Sequence, residues 1–289
     1  MDFVLLTDST CDLSPQMAEE LAVSVIPLIY SIDGKEYYHY VDNRELNIHT
    51  YYDQLRAGAY PQTAQISPLE FREAFEPHLR AGKDVLYIAF SSGISGTYNT
   101  AAMVAKELQT EYPDRRMIVY DSLCASGGEG LLVYHAAKLA QTGQPLDTVL
   151  AWLDENRTKL VHWFTVDDLN HLHRGGRITG AAALVGGMLG IKPVLHVDDE
   201  GRLIPMEKVR GRRKALDRLV DHMIETAVDP VNQTVFINHA DCIDDARYVE
   251  KQVRARVGAT DIHLFYIGPL IGAHSGPGTL ALFFLGSKR

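Results

Sequence analysis

Cysteine is scarce in this chain of 289 residues. Its three copies, Cys11, Cys124 and Cys242, are far apart, odd in number and form no C-x-x-C pair. That spacing argues against a disulfide framework and a thiolate zinc site, and it fits a reducing compartment. Basic charge is short as well: 28 Lys and Arg against 37 Asp and Glu leave a formal charge of −9. A chain of that sign is not drawn to the phosphate backbone of a nucleic acid or to an anionic membrane surface. Long hydrophobic runs are also missing. The uncharged stretch Ile178–Ile191 is shorter than a bilayer span, and His263–Ser287 is broken by His263, His274, Pro269, Pro277 and several glycines. The apolar start Phe3–Leu6 reaches Asp8 too soon for a signal-peptide core, so a cytoplasmic protein without stable membrane insertion is expected.

What is present is alternation. Phe3–Thr7 is a short apolar run, and Ser14-Pro15 then caps a helix through Leu21. Asp33-Gly34 supplies the turn of a hairpin between Ile29–Ile32 and Lys35–Tyr38. Ser67-Pro-Leu-Glu70 is a capping box for a helix to Leu79, with Gly82 just beyond its end. Strand Val85–Phe90, helix Tyr98–Leu108, strand Met117–Tyr120 and helix Gly128–Ala140 follow. Strands alternating with helices call for parallel βαβ units. The spacing predicts a further helix over Pro145–Leu160 and a strand at Val161–Thr165. The second half offers a hairpin around Asp199-Glu-Gly201, helices at Gly211–Ala227 and Asp244–Val257, and strands at Val235–Asn238 and near the end. The expected fold class is α/β in two domains. Residues 1–159 carry a mainly parallel sheet flanked by helices, and residues 160–289 form a mixed α/β domain.

Six segments can carry chemistry. Ser91–Thr97 joins a strand to a helix, so its N–H groups converge at a helix N-terminus, where Ser92, Ser95 and Thr97 add hydroxyls and Gly93 and Gly96 allow close approach. The same residues would serve a plain helix cap. The order Gly93-Ile-Ser95-Gly96-Thr97 departs from the G-x-S-x-G nucleophile elbow at its last position. Tyr60–Ile66 is too polar to read as a strand, and its Thr63 can donate to a ligand oxygen or simply be solvated. Gly268–Thr279 reads as a glycine-rich loop with His274 at its centre and lacks the lysine of a nucleotide-binding loop. His274 can serve a carboxylate or only the loop backbone. Arg174-Gly-Gly-Arg177 presents two guanidinium forks at a helix end, while His171 and His173 lack metal-ligand spacing, so no metal is expected. The small-residue stretch Ala181–Gly190 suits either an acyl chain or close helix packing, and Arg210, in the basic cluster Lys208–Lys214, suits a carboxylate or solvent.

Together these segments resemble the DegV family, fatty-acid-binding proteins that serve bacterial fatty-acid kinase. The likeness rests on Thr7–Leu13, Thr63 with Gln65, Ser91–Thr97, Tyr120-Asp-Ser122, Arg174–Ile178, Lys192-Pro193, Lys208-Val-Arg210 and Gly272–Gly278, in family order over nearly the whole chain. Ala64 and Ile66 depart from the family pattern. The resemblance implies two α/β domains with an acyl tunnel holding a long-chain fatty acid such as palmitate or oleate. Thr63, Ser95, the Gly96 N–H, His274 and Arg210 would hold the carboxylate, with Ser92 and Thr97 as further loop contacts. Arg174 and Arg177 would dock the kinase, to which ATP and Mg²⁺ belong. The chain is then a carrier without a cofactor or catalysis of its own. The rivals are a serine hydrolase of acyl esters using Ser95, His274 and Asp8 or Asp121, and a sensor of small carboxylates.

Overall fold

The computed structural model describes residues 3–178 and 190–289. The small-residue stretch Ala181–Gly190 therefore lies, but for Gly190, outside the described residues. The chain opens with β1 (Phe3–Asp8), α1 (Pro15–Glu20), β2 (Ser24–Ile26), β3 (Leu28–Ile32) and β4 (Lys35–His39). Ser14 Oγ accepts the Met17 N–H, and Pro15 opens α1 with a nitrogen that needs no partner. Asp33 and Gly34 both take positive φ, the backbone of a tight hairpin turn. Next come α2 (Ile48–Arg56), β5 (Gln62–Thr63) and α3 (Pro68–Arg80), whose capping box between Ser67 and Glu70 forms as expected. β6 (Asp84–Ala89), α4 (Thr97–Glu111), β7 (Met117–Asp121), α5 (Gly127–Gln141) and α6 (Leu146–Asn156) complete the first half.

The second half runs β8 (Leu160–Thr165), α7 (Asn170–Arg174), β9 (Ile191–Val197), β10 (Leu203–Arg210), α8 (Arg212–Thr226), β11 (Val235–His239), α9 (Ile243–Arg256), β12 (Ile262–Tyr266), α10 (Pro269–Ser275) and β13 (Leu280–Leu285).

The fold is mixed α/β. One sheet, ordered β2-β1-β6-β7, is parallel throughout. Its inner strand β6 is apolar on both faces and Val85 to Ala89 are fully buried, as a strand covered on two sides must be. A six-stranded sheet, β10-β9-β8-β13-β11-β12, is antiparallel except where β11 meets β12. A small antiparallel sheet, β4-β3-β5, stands beside them.

Two local expectations change. Residues Gln62 and Thr63, too polar to read as a strand, pair with Ser31 and Tyr30 of β3. Backbone pairing at a sheet edge needs no apolar side chain, only a neighbour with free N–H and C=O groups. The expected loop Gly268–Thr279 instead contains the helix α10, with Pro269 at its first position.

Helix α5 lies between the two larger sheets. Leu131, Leu132, Val133, Ala136 and Ala137 are fully buried, and they join Leu86 and Ile88 of the parallel sheet to Phe164 and Phe283 of the mixed one in a single cluster. A helix with so broad an apolar surface packs against more than one neighbour. The core is thus continuous between the sheets.

Candidate functional site

Between the sheets lies a cavity of about 170 Å³. Its walls come from Leu28 on β3, Phe90 and Ile94 after β6, Phe164 on β8, and Ala281 and Phe283 on β13. Thr63, Gln65, Ser95, Arg177 and His274 line it too, and these polar residues keep solvent exposure while Phe90, Phe164, Ala281 and Phe283 are buried. The polar groups therefore mark its accessible end.

Strand β5 places Thr63, and α10 places His274, so that Thr63 Oγ1 and His274 Nε2 lie 2.9 Å apart. Among the described residues His274 Nδ1 is buried without a hydrogen-bond partner. Burial, with the charge of Arg177 next, presses the His274 pKa down to about 4. Near neutral pH the ring is uncharged and one nitrogen carries the proton, so one member of the pair donates to the other and the remaining proton is free for an incoming oxygen.

Ser95 stands at the start of α4. Its Oγ is 2.9 Å from Thr97 Oγ1 and accepts the Thr97 N–H at 3.2 Å. Thr97 is buried beneath it and does not line the cavity. Ser92 also stays off the cavity wall, and its N–H donates to Asp121 Oδ1 at 3.1 Å. The Gln65 amide lies against Gly96, where a Cβ would meet its Nε2 at 2.6 Å, so glycine there lets β5 and the loop before α4 close together.

The two arginines part company. Arg177 is half-buried on the cavity wall and donates to the Gly175 carbonyl. Arg174 is exposed, with its guanidinium 5.0 Å from the Tyr60 ring centre. Arg210 is not brought to this place: it ends β10, an edge strand, and its side chain is exposed. Alternation along a strand decides which face a residue takes, and only the tertiary register reveals which face looks inward.

A Ser-His-Asp arrangement does not form. Ser95 bonds Thr97 rather than His274, and Asp8 and Asp121 are engaged elsewhere, by Thr10 and Tyr87 and by Ser92 and Leu123. Among the described residues no cluster of His, Cys, Asp and Glu could hold a metal ion, and no helix is long and apolar enough to cross a membrane.

Sequence reasoning missed Thr10, Ser126, His162 and Ser275 on the cavity wall. His162 sits in a strand that is buried on both faces, so no alternation distinguishes its inward position. Ser275 neighbours His274, and among the described residues its buried hydroxyl has no partner.

A mostly apolar cavity between a parallel and a mixed sheet, with hydroxyl and imidazole groups at its accessible end, defines the class: an α/β protein with an internal cavity between its sheets. The chain belongs to the DegV family, whose model, described as one of uncharacterised proteins, matches residues 2–287. It is 43% identical to a DegV domain-containing protein of Clostridium perfringens over 99% of this chain and 98% of that one. Its fold matches a fatty-acid-binding DegV family protein from Thermus thermophilus with a TM-score of 0.90 at 30% identity, over 99% of this chain and all of that one. A DegV lipid-binding protein from Thermotoga maritima matches with a TM-score of 0.88 at 30% identity over the whole of both chains.

Proposed function

We propose that this protein binds a long-chain fatty acid in the cavity and presents its carboxylate to a fatty-acid kinase. The observation that carries the reading is the Thr63–His274 pair at the accessible end of a mostly apolar chamber. The fatty-acid and lipid binding named for the Thermus and Thermotoga relatives supports it.

The energetics suit that ligand. Each methylene removed from water contributes about 0.8 kcal/mol, so the tail supplies most of the affinity. A buried carboxylate is costly without donors; in this reading Thr63, Ser95 and His274, which line the cavity, offset that cost together with the N–H of Gly96, which is not on the cavity wall. The cationic Arg177 on the same wall adds a charge of the right sign. Arg210 enters this scheme only if the chain rearranges to bring it inward. In the same reading, residues 1–159 and 160–289 act as two domains around the ligand. Arg174 and Arg177 face the kinase, and the protein is a cytoplasmic carrier that leaves catalysis and ATP to its partner.

Native mass spectrometry of the purified protein, followed by denaturing extraction, tests the reading. One fatty acid per chain, with lower occupancy in Thr63→Val, is the expected result. Failure to retain or take up palmitate would sink it.

A further inference from the structure

Helix α10 has seven residues, too few to hold a direction by itself, so its placement depends on what grips the chain leading into it. Three consecutive residues there are bonded to side chains from distant elements. Tyr52 Oη donates to the Ile267 carbonyl at 2.6 Å, Asp12 Oδ1 accepts the Gly268 N–H at 2.8 Å, and Tyr51 Oη donates to the Pro269 carbonyl at 2.8 Å. Both tyrosines are fully buried on α2, and Asp12, in the loop between β1 and α1, is 5% exposed. His39 of β4 closes the other side. A Cβ at position 268 would meet its Cε1 at 2.2 Å and Asp12 Oδ1 at 2.9 Å, so only glycine admits the grip.

The second oxygen of Asp12 accepts from Ser126 Oγ at 2.5 Å. Ser126 lines the cavity, and so do Ile267, Leu270, Ile271 and His274. One carboxyl therefore joins the β1–α1 loop to two cavity walls. Its described partners are an N–H and an O–H, with no cation among them. Burying a carboxyl in that way is costly, and such a group is better explained by the geometry it enforces than by net stabilisation.

We infer that Asp12 is a positioning residue: with Tyr51 and Tyr52 it fixes the start of α10, and thereby where His274 meets Thr63, without touching the ligand itself. The ligand part of this inference rests on the fatty-acid reading.

The experiment compares wild type, Asp12→Ala and the Tyr51→Phe/Tyr52→Phe double variant in binding palmitate and methyl palmitate. Both variants are expected to lose about tenfold in affinity for palmitate, the range set by one or two lost buried hydrogen bonds, while the ester binds as before. Asp12→Asn, whose amide can still accept from Gly268 and bond Ser126, restores most of the loss. Parallel losses for acid and ester, or no loss for either, would overturn the inference. The tyrosine variant keeps its rings and answers the question even if Asp12→Ala fails to fold. A second readout needs no lipid. The ring signals of His274 in carbon–proton NMR of the free protein should move in both variants, and unmoved signals would overturn the positioning role. A wild type that binds no palmitate but shows those shifts would instead overturn the fatty-acid reading and leave the positioning supported.

Discussion

Thr63 Oγ1 and His274 Nε2 meet at 2.9 Å although 211 positions separate them along the chain. Strand β5 is only two residues long, and among the described residues His274 Nδ1 is buried and unpaired. Their pairing is where the two halves of the chain touch at the accessible end of the cavity.

Thr63→Val and His274→Ala should each weaken palmitate binding by about 1–2 kcal/mol, a factor of roughly ten, because each removes a donor from a poorly hydrated carboxylate. The double variant should lose less than the two combined, since the residues form one hydrogen-bonded unit. Isothermal titration calorimetry of the three proteins reads the coupling. Strict additivity would mean that the pair does not act together.

Protonation sets the pH dependence of stability. Burial lowers His39 to about 3, His135, His196, His239 and His274 to about 4, and His162 well below its ordinary 6.5. For these groups the unfolded chain takes up protons below 6.5 while the fold does not, so their contribution is lost as pH falls from 6.5 toward 4. Burial also raises Asp8, Asp12, to about 7, and Glu129, whose contribution runs the other way and fades as pH rises through their folded values. Six histidines outweigh three carboxyls, so the urea midpoint should rise from pH 4.5 to 6.5. A midpoint that declines over that window would show that the carboxyls dominate.

Ala281 lies on the buried part of the cavity wall. Ala281→Leu should fill space there and shift the bound lipid toward shorter chains, at a stability cost of roughly 1–3 kcal/mol from overpacking. Gas chromatography of extracted lipid checks it. An unchanged chain-length profile would place the acyl tail elsewhere.

Glu129 is fully buried among hydroxyls: its Oε1 lies 2.9 Å from Thr7 Oγ1 and its Oε2 3.0 Å from Thr10 Oγ1. Burial, then the charge of Asp8, pushes its pKa well up, toward the protonated form. Glu129→Gln should therefore alter stability by less than about 1 kcal/mol, whereas Glu129→Ala should cost about 2–4 kcal/mol through an unfilled polar cavity. Denaturant titration of both variants tells them apart. A large loss in the glutamine variant would mean that Glu129 is ionised in the fold.

Much of this protein could be read along the chain because the deciding interactions are local. The Ser67–Glu70 box, the Ser14-Pro15 cap and the Asp33-Gly34 turn act within four residues, and strand–helix alternation in the first half favours the parallel sheet that forms there. The hydroxyls of Thr63 and Ser95 and the ring of His274 were recognisable by residue type. Strand β5, the helical state of residues 269–275 and the outward face of Arg210 were not, since each depends on a neighbour far away in sequence: β3, the Asp12–Tyr51–Tyr52 grip, and the register of β9 with β10. The sequence by itself determined which elements form and which chemistry is available. Only the tertiary structure decided which groups share the cavity, because apolar burial and buried hydrogen bonding act between residues that meet only once the two sheets close on α5.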